Sequence, residues 1–312
     1  MMEVIERHGM FGGEMLTLTH VAPSLAGAPM SCRAFTPPGF GDADASVKWP
    51  CLIALGGLTA SDVNFSTKVT TVQRAAAAAG LVVLFPDTSP RNGVDDAHPL
   101  LGEGASYYVD ATEEKWVSWK MYSYVCSDLP ELLATSFRAD LGKIGIMGHS
   151  MGGHGALVAY VRGDFEFASC SAFAPVSNPT AIEGAPAWRA LSTYLGGGDA
   201  ADADDAPWRA AWRRYDACEL IRAYDGPKKA VLVDQGADDP KLRFLASPNL
   251  VEAARDSNVD VHYRVQDGYD HELGCFVATF AEEHVRYHAS ILRPKADLFK
   301  AVLGFFGVSA QY

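Results

Sequence analysis

The chain has 312 residues, 48% of them hydrophobic and 21% charged, and its formal net charge is −12. This is enough apolar material for a large globular core. The negative charge excludes a nucleic-acid binder, which needs a basic footprint, and excludes docking on anionic lipid.

No run reaches the length of a membrane span. The N-terminus, Met1 to His8, lacks the apolar stretch of a signal peptide. The cysteines (Cys32, Cys51, Cys126, Cys170, Cys218, Cys275) form no C-x-x-C or other metal-ligand pair. Cys51, Cys170 and Cys275 stand in apolar runs, where a reduced thiol acts as a small hydrophobe. The expected compartment is the reducing cytosol, and the sequon at Asn64 is read as chance.

Residues 13–20 and 31–36 alternate well enough for two antiparallel strands at a sheet edge. Residues 51–55 are continuously apolar and end in Gly56-Gly57, as expected of a strand buried on both faces. An alanine-rich helix is predicted over 68–79, stopped by Gly80, with the next buried strand over 81–85. Residues 87–120 read as a long loop, and loops of that length in compact domains are usually functional. Helical spacing covers 122–135, and strands are predicted over 143–147 and 168–173.

Residues 178–224 are irregular, rich in Trp, Ala and Asp, and read as a small helical excursion. Their acidic stretch, Asp199, Asp202, Asp204 and Asp205, lacks the glycine and terminal glutamate of an EF-hand and reads as a solvated loop. A strand over 230–234, a helix over 248–258, a strand over 260–265 and a long helix over 275–292 complete the pattern. Alternating strands and helices predict an α/β fold, a mainly parallel central sheet with helices on both faces. Residues 1–312 read as one domain, with a C-terminal extension at 293–312.

Gly148-His149-Ser150-Met151-Gly152 form G-x-S-x-G between the 143–147 strand and a helix opening at Gly153. That strand–turn–helix context is a nucleophile elbow. The turn is so sharp that side chains at the flanking positions would collide, hence the glycines. Ser150 is the candidate nucleophile, and the Met151 N–H is aimed where a carbonyl oxygen would become negative.

A serine needs a base and an anion to orient that base. In the α/β-hydrolase order both follow the serine along the chain. His262 falls inside a strand, and His284 and His288 inside the final helix. His271 stands between the last strand and the last helix, where the base belongs. The acid lies among Asp234, Asp238 and Asp239. Asp239, three residues past Gly236, is the first choice, Asp238 the near alternative, and Asp234 a residue bonding locally to loop amides. Gly56-Gly57-Leu58-Thr59 follows an early central strand, so the Leu58 N–H is the second oxyanion donor. His149, beside the serine, is a pocket or packing residue. No H-E-x-x-H or similar ligand set occurs, and Glu282-Glu283-His284 reads as a solvated face, so no metal is expected.

Longer strings then become specific: GEGASYYVDATEEKW over 102–116, GHSMGGHGAL over 148–157, Pro86 to Arg91, Gly57-Leu58-Thr59 with Asn64-Phe65, Asp234-Gln235-Gly236, and Gly268-Tyr269-Asp270-His271. In these the chain resembles the S-formylglutathione hydrolases, the group also called esterase D, over nearly its whole length. The resemblance implies a cytosolic thioesterase of formaldehyde detoxification that cleaves S-formylglutathione and, as a side activity, small carboxylic esters. It places the triad on Ser150, Asp239 and His271, puts the oxyanion amides on Leu58 and Met151, and implies no cofactor and a possible homodimer. The alternative is a general short-chain carboxylesterase or acyltransferase.

Tyr107, in the long loop, is a candidate to narrow the acyl pocket. Trp188, near the family's usual tryptophan, is a candidate to shape the acyl or thiol side. Lys68 and Arg91 are candidates to offset the protein's charge near an anionic substrate. Relatives commonly carry cysteine where this chain has Ala60, which predicts insensitivity to oxidation by that route.

Overall fold

The computed structural model of the chain describes residues 2–94, 98–197 and 207–293. Its centre is a nine-stranded sheet in the order β1-β2-β3-β5-β4-β6-β7-β8-β9. The strands are β1 (Met2–Met10), β2 (Gly13–Ala22), β3 (Ala28–Thr36), β4 (Trp49–Leu55), β5 (Val82–Pro86), β6 (Ala139–His149), β7 (Ser169–Phe173), β8 (Lys229–Gly236) and β9 (Val259–Gln266). β1, β2 and β3 pair antiparallel, and β3 joins β5 antiparallel. From β5 through β4, β6, β7 and β8 to β9 every pairing is parallel. This is the α/β-hydrolase architecture the sequence predicts.

Burial explains the strand sequences. Every residue of β4, β5 and β7 is buried. Such strands are covered on both faces, so their sequences are runs of apolar residues without alternation. β1 was not legible as a strand because it is an edge. Most of its side chains are exposed, so Glu3, Glu6 and Arg7 interrupt any apolar alternation.

The predicted helix at 68–79 is two helices, Asp62–Lys68 and Thr71–Ala79. Ser61 caps the first: the Val63 N–H donates to its hydroxyl, and the Asn64 side chain accepts from the Ser61 N–H at 2.9 Å. This capping box explains the asparagine of the chance sequon. Gly80 ends the second helix in the left-handed conformation, with φ +65°. The helix predicted over 248–258 shortens to Asn249–Ala253 before giving way to turns. The long helix over Ala278–Leu292 opens from a π turn at Leu273–Val277.

Around 178–224 the described segments include helices Pro186–Leu195, Pro207–Arg213 and Ala217–Ala223. The acidic stretch at Asp199–Asp205 lies outside the described residues, as does the C-terminal extension beyond Arg293.

Topology positions the site. From β4 the chain steps one way to β5 and later returns to the other side of β4 with β6. Ligands of open parallel sheets bind beyond the carboxyl ends of the strands at such a reversal. The loops after β4, β6, β8 and β9 all emerge at that end.

Candidate active site

The elbow stands between β6 and the helix Met151–Arg162. Ser150 has φ +58° and ψ −117°, a conformation non-glycine residues rarely adopt. Such strain costs on the order of 1–3 kcal/mol and persists only where surroundings enforce it. Here the Ser150 N–H donates to the Phe173 carbonyl at 2.9 Å, and the Ser150 carbonyl accepts from the His154 N–H at 3.0 Å. A Cβ at Gly148 would lie 2.2 Å from the Gly152 oxygen, and one at Gly152 would lie 2.1 Å from the Leu55 oxygen. Both glycines of the motif are therefore steric requirements.

Three side chains distant in sequence meet above this turn. His271 Nε2 lies 2.9 Å from Ser150 Oγ, and His271 Nδ1 lies 2.7 Å from Asp239 Oδ2. Asp239 is fixed in turn: Oδ2 accepts from Gln235 Nε2 at 2.9 Å and Oδ1 accepts from the Lys241 N–H at 2.8 Å. The Ser247 hydroxyl donates to Gln235 Oε1 at 2.7 Å, a further layer that holds the glutamine. Burial alone would raise the Asp239 pKa. The bonds from His271, Lys241 and Gln235 outweigh it and hold the carboxyl below its usual range, so it faces the imidazole as an anion.

The two loops holding Asp239 and His271 are locked together. A Cβ at Gly236 would meet the Asp270 oxygen at 2.3 Å, and the Asp238 N–H donates to the Tyr269 carbonyl at 2.9 Å. Asp238 contributes through its backbone, and its side chain is exposed.

Asp234 has a different role from the loop contact expected of it. Fully buried, it takes a bidentate ion pair from Arg264 of β9 at 2.6 and 2.8 Å, and His284 Nε2 lies 3.4 Å away. Burial would raise its pKa, and the facing His284 and Arg264 more than reverse this. Because the folded pKa lies below the unfolded one, the pair stabilises fully above the ordinary carboxylate range. That contribution fades as pH falls through the folded value. Asp234→Asn is expected to cost about 2 kcal/mol near neutrality, discounted because Arg264 is partly exposed. Urea midpoints measured from about pH 7 to about pH 3 should show the gap to wild type closing below about pH 4.

The same helix corrects another expectation. Glu282 and Glu283 do face solvent and pair with Arg74 and Arg264. His284, however, is fully buried, its ring stacked on Phe173 at 3.7 Å. Among the described residues no group of three His, Cys, Asp or Glu side chains is placed to hold a metal ion.

A cavity of about 390 Å³ opens over the triad, lined by Leu58, Lys68, His149, Ser150, Lys241 and His271 among others. The Thr59 N–H is taken by the Gly104 carbonyl and the Ala60 N–H by that of Gly57. The Leu58 N–H has no backbone acceptor among the described residues. Met151 opens the elbow helix, where an N–H has no partner within its own helix. His149 lies against the site, its ring centroid 4.6 Å from that of His271. Burial first, then the charges of His271 and Lys241, push its pKa well down, so it is neutral.

Tyr107 and Trp188 stand outside the residues that line this cavity. Tyr107 is buried beneath the elbow helix, its N–H donating to Met151 Sδ at 3.3 Å. Trp188 packs edge-on against Trp212, with ring centroids 5.1 Å apart. Arg91 is held by Asp87 and the Ala60 carbonyl at 2.8 and 3.0 Å. Lys241 and Glu272 were not singled out from sequence, since a charged residue in a loop carries no periodic signal.

A second Ser–His cluster shows what the site is not. His288 contacts Ser169 at 2.6 Å and Ser171 at 2.9 Å, but all three are fully buried beneath the sheet. Burial pushes His288 down to about 3, leaving a neutral structural ring that no substrate can reach. Asp216 is spent on Asn178, Thr180 and the start of helix Ala217–Ala223.

Residues 24–287 match the family model described as Esterase. The S-formylglutathione hydrolase of Rattus norvegicus is 38% identical over 297 residues, covering 92% of this chain and 98% of that protein. That of Arabidopsis thaliana is 40% identical over 289 residues, covering 91% and 95%. The chain belongs to the S-formylglutathione hydrolase family. A solved S-formylglutathione hydrolase structure from Agrobacterium tumefaciens matches at 37% identity with a TM-score of 0.82, covering 93% of this chain and 99% of that one.

Within this family the chain has Ala60 on the cavity wall. Five cysteines are free and buried, and Cys275, expected in an apolar environment, is exposed on the π turn. Because Ala60 offers no thiol at the site, treatment with N-ethylmaleimide is expected to leave the hydrolysis rate unchanged. A rapid loss of activity would contradict that expectation.

Among the described residues no helix is long and apolar enough to cross a membrane.

Proposed function

We propose that this chain is a serine hydrolase that cleaves S-formylglutathione to glutathione and formate, with side activity on small carboxylic esters. The observation that carries the reading is the unbroken hydrogen-bonded chain from Ser150 through His271 to Asp239, under a cavity of ligand size. The relatives' names supply the substrate.

His271 takes the Ser150 proton as the hydroxyl oxygen attacks the thioester carbonyl. The Leu58 and Met151 amides bind the oxyanion, a contribution of about 10²–10³ in turnover per donor. His271 then protonates the departing thiolate, leaving a formyl-serine. Water, deprotonated by the same imidazole, attacks that ester and releases formate. Asp239 keeps the His271 Nδ1 protonated and stabilises the imidazolium. Neutral His149 adds no like charge beside that cation. The free cysteines suit a reducing compartment, and the cytosol is the proposed location.

The test compares kcat/KM on S-formylglutathione and on p-nitrophenyl acetate. The reading predicts an excess of several orders of magnitude for the thioester. Equal efficiency would overturn it in favour of a general carboxylesterase.

A further inference from the structure

The proposed substrate and the protein's charge are at odds. Glutathione carries two carboxylates and one ammonium, and a chain of net charge −12 repels an anion at long range. Four charged side chains line the cavity, two cations and two carboxylates, so its wall adds no net negative charge. They are Lys68, Lys241, Asp270 and Glu272.

One lysine follows Asp239 in its loop, and the other reaches the residue after His271 from a neighbouring helix. Lys241 follows Asp239 by two residues, and its N–H donates to Asp239 Oδ1 at 2.8 Å. No carboxylate among the described residues pairs with its ammonium, and its charge is felt at His149 behind the larger effects of burial and His271. Lys68 ends the helix Asp62–Lys68, and its Nζ lies 3.7 Å from Glu272 Oε1, on the residue directly after His271. Lys68 and Glu272 are each about half exposed, at 52% and 56%. An exposed pair of this kind contributes about 0–1 kcal/mol, so a ligand can separate it at little cost. An α-amino acid head offers the matching groups, a carboxylate for the lysine and an ammonium for the glutamate.

We propose that Lys68 and Lys241 bind the two carboxylates of glutathione while Glu272 takes its ammonium, and that this match sets the preference for S-acylglutathiones over uncharged esters. The γ-glutamyl head sits on Lys68 and Glu272, and the glycine carboxylate sits on Lys241. The inference rests on the substrate reading above. Lysine suits the role because it is a point charge on a flexible stem, able to follow a mobile peptide.

The test is steady-state kinetics on Lys68→Gln, Lys241→Gln and the double variant. Each single change is expected to raise KM for S-formylglutathione about tenfold with little change in kcat, the loss of one charge-assisted contact. In the double variant the ratio of kcat/KM on S-formylglutathione to that on p-nitrophenyl acetate should fall about a hundredfold. Lys241→Arg, which keeps the charge, should retain most of the wild-type KM. Wild-type KM should also rise with added NaCl, and that of the double variant should not. A double variant with wild-type KM, in an enzyme that still prefers the thioester, overturns the lysine assignment alone. A wild-type enzyme with no preference for S-formylglutathione overturns the substrate reading and this inference together.

Discussion

Ser150→Ala is expected to lower kcat on S-formylglutathione by about 10⁶, the scale found when a triad nucleophile is removed. The reaction has no second route. Among the described residues the only other serines placed against a histidine, Ser169 and Ser171, are sealed beneath the sheet. The variant keeps its Cβ, so the elbow backbone at φ +58° is no more strained than before. Its folding should therefore survive, and an unchanged thermal midpoint would show that chemistry and not structure was lost. The residual rate, from the oxyanion amides and binding, should remain about 10³–10⁴ above water. A variant retaining a tenth or more of the wild-type rate would remove Ser150 from the mechanism.

Asp239→Asn is expected to lower kcat by about 10⁴ with little change in KM. Asparagine can keep the bond from the Lys241 N–H, so the loop stays in place. Its amide, however, can present an N–H to His271 Nδ1, which must then accept. The imidazole proton moves to Nε2, facing Ser150, and the base can no longer take the hydroxyl proton. Asp238→Asn is the control. Asp238 is exposed and holds the site through its backbone N–H alone, so its variant should retain near-wild-type turnover. If Asp238→Asn is the damaging change and Asp239→Asn is not, the carboxylate has been misassigned.

Ser150 and His271 were the most legible in sequence, for a physical reason. Ser150 is marked by glycines that the turn demands, and a Cβ at 2.1 or 2.2 Å from a carbonyl oxygen leaves no alternative residue. His271 is marked by its place between the last strand and the last helix. Asp239 was only partly legible. Choosing it over Asp238 depends on one residue of phase after Gly236, which the backbone fixes by packing that glycine against Tyr269 and Asp270.

The supporting shell was not legible. Gln235 and Ser247 are ordinary polar residues until the fold brings them behind Asp239. The burial of His284 runs against its acidic neighbours in sequence, because successive helix positions point about 100° apart, which turns His284 inward while Glu283 faces solvent. Tyr107 and Trp188 are not among the residues that line the cavity, and both pack against other side chains. β1 is a strand only because β2 offers it an edge, with partners from Met2 with His20 to Met10 with Gly13.

The account stands on Ser150 as the atom that becomes acylated. Reaction with a fluorophosphonate followed by mass mapping of the digested protein addresses this directly. One adduct is expected, on the peptide that contains Ser150, and it should vanish in Ser150→Ala. An unlabelled Ser150 in active enzyme, or equal labelling of the alanine variant at another residue, would contradict the account.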